Sequence, residues 1–146
     1  MGMYPLFHLR GVMMIKKKIL DPKRIRQIDG GFSYIPHRFL TDGFLASLNQ
    51  KELLLYFFLA LASDRYGLSF YSYDGICSLL GLSVDDYVEA RDGLIHKGLI
   101  AFDGTLFQVL DLPPKPHQPP GANLKQYRHQ VRNLIQQSLW GAEDGQ

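Results

Sequence analysis

A single cysteine in 146 residues leaves Cys77 without an intrachain partner, which excludes a disulfide framework and a cysteine-rich zinc site. A reducing, cytoplasmic setting fits that usage. The five histidines, His8, His37, His96, His117 and His129, show neither i,i+4 pairing nor metal-like spacing with Cys77. Glycine-rich phosphate loops and nucleophile elbows are also lacking. The chain is therefore expected to hold no catalytic residue, metal or cofactor and not to be an enzyme. Long apolar runs are missing too. "LLLYFFLALA", residues 53–62, is about half of the ~20 residues a membrane-spanning helix needs, so no integral membrane association is expected. At the start, "MGMYPLFHLRGVMMIKKK" places its basic cluster after the apolar stretch, the reverse of a signal peptide. Met13 or Met14 offers an alternative start.

Charge is strongly segregated under a formal net charge of only +2. Residues 1–40 hold eight bases and two acids, a balance of +6. Residues 41–112 hold four bases and ten acids, or −6, and the remainder four bases and two acids, or +2. An acidic centre thus sits between a basic arm and a mildly basic tail. This division gives four segments: a basic arm at 1–32, a domain at 33–113, a proline-rich linker at 114–120, and an amphipathic helix and tail at 121–146.

Capping residues place the elements of the domain. Asn49 with Glu52 forms a capping box, and the helix from there to about Ser63 is apolar nearly all round, which predicts a central buried helix. "LSFYS" reads as a short strand. Ser72 caps a short helix to Leu80, with Ile76, Leu79 and Leu80 at burial spacing and Cys77 as a small core residue. Gly81 ends that helix in a left-handed cap, and Ser83 with Asp86 starts the next, whose inward stripe is Tyr87, Ala90 and Leu94. Gly98 stops it. Two short strands, "LIAF" and "TLFQVL", follow, joined by Asp103-Gly104, a favoured dipeptide for a tight type I′ hairpin. The order of helix, strand, helix, turn, helix and hairpin is mainly α with a small β-wing, a winged helix-turn-helix.

The stretch from "SYIPHRFL" through "FQVLDLP", and within it "LLLYFFLALASDRYGLSFYSYDGICSLLGLS" and "LIHKGLIAF", resembles the winged helix-turn-helix domains of bacterial and phage replication initiators. It is also similar to related small regulators, including proteins encoded near mobile elements. The resemblance implies DNA binding, with the second helix of the pair entering the major groove. Recognition helices of that family commonly carry basic or small polar residues outward over the first two turns. Here Val84, Asp85, Asp86, Val88 and Glu89 occupy those positions, an acidic surface that repels phosphate.

The candidate DNA contacts therefore lie elsewhere. "KKKILDPKRIR" puts Lys16, Lys17, Lys18, Lys23, Arg24 and Arg26 within eleven residues, and Pro22 argues against a continuous helix. The expectation is an extended, mobile arm on phosphates or in a minor groove, against the plainer alternative of a solvated basic terminus. The start of the Ser72 helix, with Ser72 and Tyr73, is a second candidate, because backbone N–H groups there favour anions; Asp74 weakens it. Ser83 joins them at the start of the acidic helix. The wing, "AFDGTLFQVL", has no Lys or Arg, leaving hydroxyl or backbone contacts such as Thr105.

The acidic helix has three readings: Asp85 and Asp86 stabilise the helix dipole with Glu89 and Asp92 on a solvated face; Asp85, Asp86 and Glu89 dock a basic partner; or they accept from cytosine. After the semi-rigid "PPKPHQPP" spacer, Leu124, Tyr127, Val131, Leu134, Ile135 and Trp140 form an apolar stripe that must be buried. Docking on the domain, a homodimer or protein partner, and a membrane surface are the options.

Overall fold

In a computed structural model, residues 15–117 and 124–139 are described, with the side chains of the last segment given at 129–137. The domain runs α1 (Arg38–Thr41), α2 (Gln50–Ala62), β1 (Leu68–Ser69), α3 (Tyr73–Leu80), α4 (Val84–His96), β2 (Ile100–Phe102) and β3 (Phe107–Val109), and α5 spans Leu124–Leu139. The sheet is antiparallel in the order β1-β3-β2. This is a winged helix-turn-helix: α3 and α4 form the helix pair, and β2 and β3 the wing.

Local chemistry explains the boundaries. Asn49 Oδ1 accepts from Glu52 N at 2.9 Å while Glu52 Oε1 accepts from Asn49 N at 3.0 Å, a complete capping box that fixes the start of α2. Ser72 and Ser83 cap α3 and α4 through Gly75 N and Asp86 N. Gly81, at φ 69°, takes the left-handed conformation that lets Leu82 N reach Cys77 O at 3.0 Å and turns the chain into α4. Gly67 is needed where β1 begins: its φ is +84° and a Cβ there would overlap the Val109 carbonyl. That approach lets Val109 N donate to Gly67 O at 2.8 Å.

The core joins α2, α3, α4 and the sheet. Leu55, Leu59, Ile76, Leu94, Leu99, Ile100 and Phe107 are fully enclosed, each supplying about 1.5–3 kcal/mol of burial free energy. Phe39 stacks on Tyr56 at 4.9 Å between centroids, bringing the segment before α2 into the same core.

Two expectations of burial change. Leu79 of α3 is exposed whereas Ile76 is buried and Leu80 half-buried; Leu80, one full turn from Ile76, shares its face, and Leu79, one residue short of that turn, lies past the edge of the α4 contact. On α2 only Glu52, Leu55, Tyr56, Leu59 and Ala60 are buried. Leu54, Phe57 and Leu61 face outward, because among the described residues the domain has elements on one side of this helix only.

The hairpin turn is also displaced by one residue. Asp103 N donates to Leu106 O at 3.2 Å, which centres the turn on Gly104-Thr105 instead of Asp103-Gly104. The Asp103 carboxylate accepts from the N–H groups of Thr105 at 2.8 Å and Leu106 at 2.7 Å. Such side-chain-to-backbone bonding favours Asp at the first position of a turn.

Two polar clusters tie distant segments. Glu52, although 4% exposed, accepts from Lys97 Nζ at 2.6 Å, and Lys97 also donates to Ser47 O at 2.7 Å. Gly93 of α4 lies against that carboxylate. Arg38 donates to the carbonyls of Leu112 at 3.3 Å and Pro113 at 2.8 Å, pairs with Asp42 at 3.1 Å, and covers the Phe44 ring at 5.3 Å. Beyond it Pro116 is buried and His117 meets the His96 ring edge-on at 4.8 Å. The start of the proline-rich segment is therefore seated on the domain; its remainder, 118–120, lies outside the described residues.

Helix α5 returns to the domain at α1. Val131 and Ile135 are half-buried, Ile135 lines a cleft with Ile35, Pro36, Phe39 and Leu40, and Arg132 Nη2 pairs with Asp42 Oδ1 at 3.2 Å. Leu134, expected in the same stripe, is exposed instead, since it lies one residue short of the turn that brings Ile135 to the face of Val131; the side chains of Leu124 and Tyr127, and Trp140, lie outside the described ones.

Candidate nucleic-acid interface

Positioned by their caps, α3 and α4 present two different surfaces. The first two turns of α4 expose Asp85 and Glu89, with Asp86 partly covered. Asp86 is engaged within the chain: its Oδ1 accepts from Lys51 Nζ at 2.7 Å. That bond holds the Asp86 carboxyl below its ordinary value and the Lys51 ammonium above its own. The pair links the first turns of α2 and α4. Asp85 and Glu89 remain as the outward acidic face; of the two, Asp85 lies in the first turn, where negative charge is favourable to the fold.

The second surface faces the wing. Between the start of α3, one side of α4 and the hairpin lies an open cleft of about 560 Å³, lined by Phe70, Tyr71, Ser72, Tyr73, Val84, Val88, Arg91 and Thr105 among others. None of its lining residues is acidic. Its one base, Arg91, lies over the rings of Tyr87 at 5.6 Å and Phe102 at 5.3 Å and pairs with Asp92 at 3.1 Å. Burial pushes the Tyr87 phenol above its ordinary value. Chemically the cleft offers aromatic faces, hydroxyls and a stacked guanidinium, the donor set that contacts a sugar–phosphate backbone.

Of the residues expected to touch DNA, Ser72 and Tyr73 reach this cleft. Ser83 does not line it; like Ser72, which accepts from Gly75 N at 3.3 Å, its hydroxyl accepts a capping bond, from Asp86 N at 3.1 Å. Sequence reasoning missed Arg91 and Phe102. The i,i+4 spacing of Tyr87 and Arg91 was a local indication of half of that stack; Phe102 comes from the wing.

Lys16, Lys17, Lys18, Lys23, Arg24 and Arg26 all lie in an exposed segment without α-helix. A single 3-10 turn, Pro22–Arg24, interrupts it, capped by Asp21 Oδ1 accepting from Lys23 N at 3.1 Å. The arm joins the domain where Ser33 Oγ donates to the Ala60 carbonyl of α2.

Among the described residues no helix is long and apolar enough to cross a membrane. A family model described as a helix-turn-helix domain matches residues 46–100, from the turn before α2 to the first residue of β2. No curated protein and no solved structure gave a match. The chain thus carries a helix-turn-helix domain, a module that points to DNA binding.

Proposed function

We propose that this chain is a small winged-helix DNA-binding protein, a transcriptional regulator or a replication or mobile-element accessory factor, that works in the cytoplasm by binding and not by catalysis. The observation that carries the reading is the division of the helix-turn-helix surface into an acidic outer face on α4 and a carboxylate-free cleft between α4 and the wing. A phosphate backbone is repelled by the first and accommodated by the second. The duplex accordingly approaches from the wing side, with Tyr71, Tyr73, Ser72 and Arg91 contacting sugar and phosphate. The basic arm supplies most of the affinity along the backbone or in a minor groove, with little discrimination among sequences.

Salt-titrated binding of a labelled duplex to the full chain, and to a chain lacking residues 1–30, tests this. If the arm neutralises five phosphates, full-length affinity falls ~10³-fold between 50 and 200 mM salt. The deletion should bind far more weakly with a flatter slope. Unchanged affinity and slope in the deletion would defeat the arm model.

A second reading is favoured by the exposure of Asp85 and Glu89: the module docks a partner protein with a basic surface. Neutralising that face should then slow association with the partner and blunt its salt dependence.

A further inference from the structure

Helix α2 carries an apolar seam that no element of the chain covers among the described residues. Leu54, Phe57 and Leu61 recur at intervals of three and four, the spacing of an a/d seam between paired helices. Leu54 is 38%, Phe57 53% and Leu61 62% exposed, while Leu55 and Leu59 on the opposite side are fully buried. The helix is therefore apolar on two faces, and the domain uses one.

The surface continues beside the seam. Where Ser33 is hydrogen-bonded to the Ala60 carbonyl, the chain alternates in and out, so Phe32 and Tyr34 flank α2 with 71% and 74% of their surface free. With aromatic side chains offering about 150–250 Å² each, these five side chains expose roughly 500–600 Å² per copy. That is at the upper end of the largest patch on an ordinary monomer, roughly 300–600 Å². It also approaches the ~800 Å² per partner of a standard interface before flanking polar groups are counted.

We propose that this face of α2 is a homodimer interface, covered by the same face of a second copy. Charge selects that occupant. No Asp, Glu, Lys or Arg lies between Glu52 and Asp64, so two such helices meet without like-charge repulsion, whereas DNA or a charged peptide finds nothing to pair with. Geometry selects it too: an isologous contact needs one self-complementary patch, and a two-fold axis near Phe57 sets Leu54 of one copy opposite Leu61 of the other. The amphipathic α5 is not the natural cover, because Val131 and Ile135 already face α1 of their own chain. The inference stands independently of DNA binding.

Sedimentation of the full chain across ~1–200 µM is the test, since interfaces of this size fall in the micromolar range or tighter. A reversible dimer is expected. Phe57→Glu should weaken it by at least about tenfold, as like charges face each other at the axis, with the melting temperature at high dilution unchanged. Mixing Phe57→Glu with Phe57→Lys should restore association, a rescue that only a two-copy contact at this residue gives. Val131→Ser with Ile135→Ser should leave the dimer intact. Should Phe57→Glu fail to fold, Phe57→Cys in a Cys77→Ser background decides: an intermolecular disulfide is expected under mild oxidation, and its absence overturns the proposal. So does a monomer at every concentration, a dimer indifferent to Phe57→Glu, or one abolished by the tail variant.

Discussion

Replacing Gly93 by Ala should destabilise the protein even though Gly93 lies in a helix interior, where alanine is ordinarily better by ~1 kcal/mol. A Cβ at this position would overlap Glu52 Oε2 and come within 3.0 Å of Cδ. Glu52 has little freedom to yield: its Oε1 accepts from both Asn49 N and Lys97 Nζ. Displacing it breaks the cap of α2 and leaves Lys97, 17% exposed at its side chain, without its carboxylate. Breaking a buried pair costs about 3–5 kcal/mol, lessened here because Lys97 can partly reach water. Against the helical gain, a net loss of roughly 2–3 kcal/mol remains. For a chain of this size that lowers the melting temperature by roughly 5–12 °C. Urea unfolding followed by circular dichroism measures the first figure and a thermal scan the second. The sharper assay is a double-mutant cycle with Glu52→Ala. With the carboxylate gone the clash is gone, so Gly93→Ala in that background should stabilise by ~0.5–1 kcal/mol. A stable Gly93→Ala single variant, or strictly additive effects, would refute the packing argument.

Arg38→Ala should cost about 1.5–3 kcal/mol through its lost charged hydrogen bonds and speed proteolysis within 113–120; Arg38→Lys should not restore protection, because an ammonium cannot fork across several carbonyls. The backbone N–H groups of Leu106 and Thr105 hold the Asp103 carboxyl below its ordinary value. With a depressed folded value, the stabilisation is present above the ordinary carboxylate range and is lost as pH falls through the lowered one, so NMR titration should find the wing turn loosening below the ordinary carboxylate range. Changing Asp85, Asp86 and Glu89 to Asn, Asn and Gln should leave nonspecific DNA binding equal or tighter; weaker binding by a folded variant would mean that this face touches DNA directly.

What could be read from the chain was whatever depends on near neighbours. Asn49 with Glu52, Ser72, Ser83 and Gly81 set their helix ends through contacts within a few residues, and the inward stripe of Tyr87, Ala90 and Leu94 follows from helical spacing. Together these suffice for a winged helix. The misreadings concern partners far along the chain. An apolar α2 looks the same whether one face or two are covered, so Leu54, Phe57 and Leu61 passed as core. Arg38 entered only as one of the eight bases of residues 1–40, yet its bonds go to carbonyls 74 and 75 residues away. The cleft was half visible: Ser72 and Tyr73 could be placed at a helix start, but Arg91 acquires its role only when the wing brings Phe102 over it.

The Arg38 contacts carry a mechanical consequence. One guanidinium holds the entry of the domain against its exit, at Leu112 and Pro113, so a load applied between arm and tail enters and leaves at nearly the same point. Tension on an arm held by DNA, opposed by a grip on the chain just past Pro113, would be borne first by a few charged hydrogen bonds in parallel; a grip beyond α5 would first strip Ile135 and Arg132 from the α1 region. The ladder between β2 and β3 and the packing of α2 against α4 lie outside that path. Under pulling, the clasp should part as a separate early event, lengthening the tether while the helix-turn-helix stays folded.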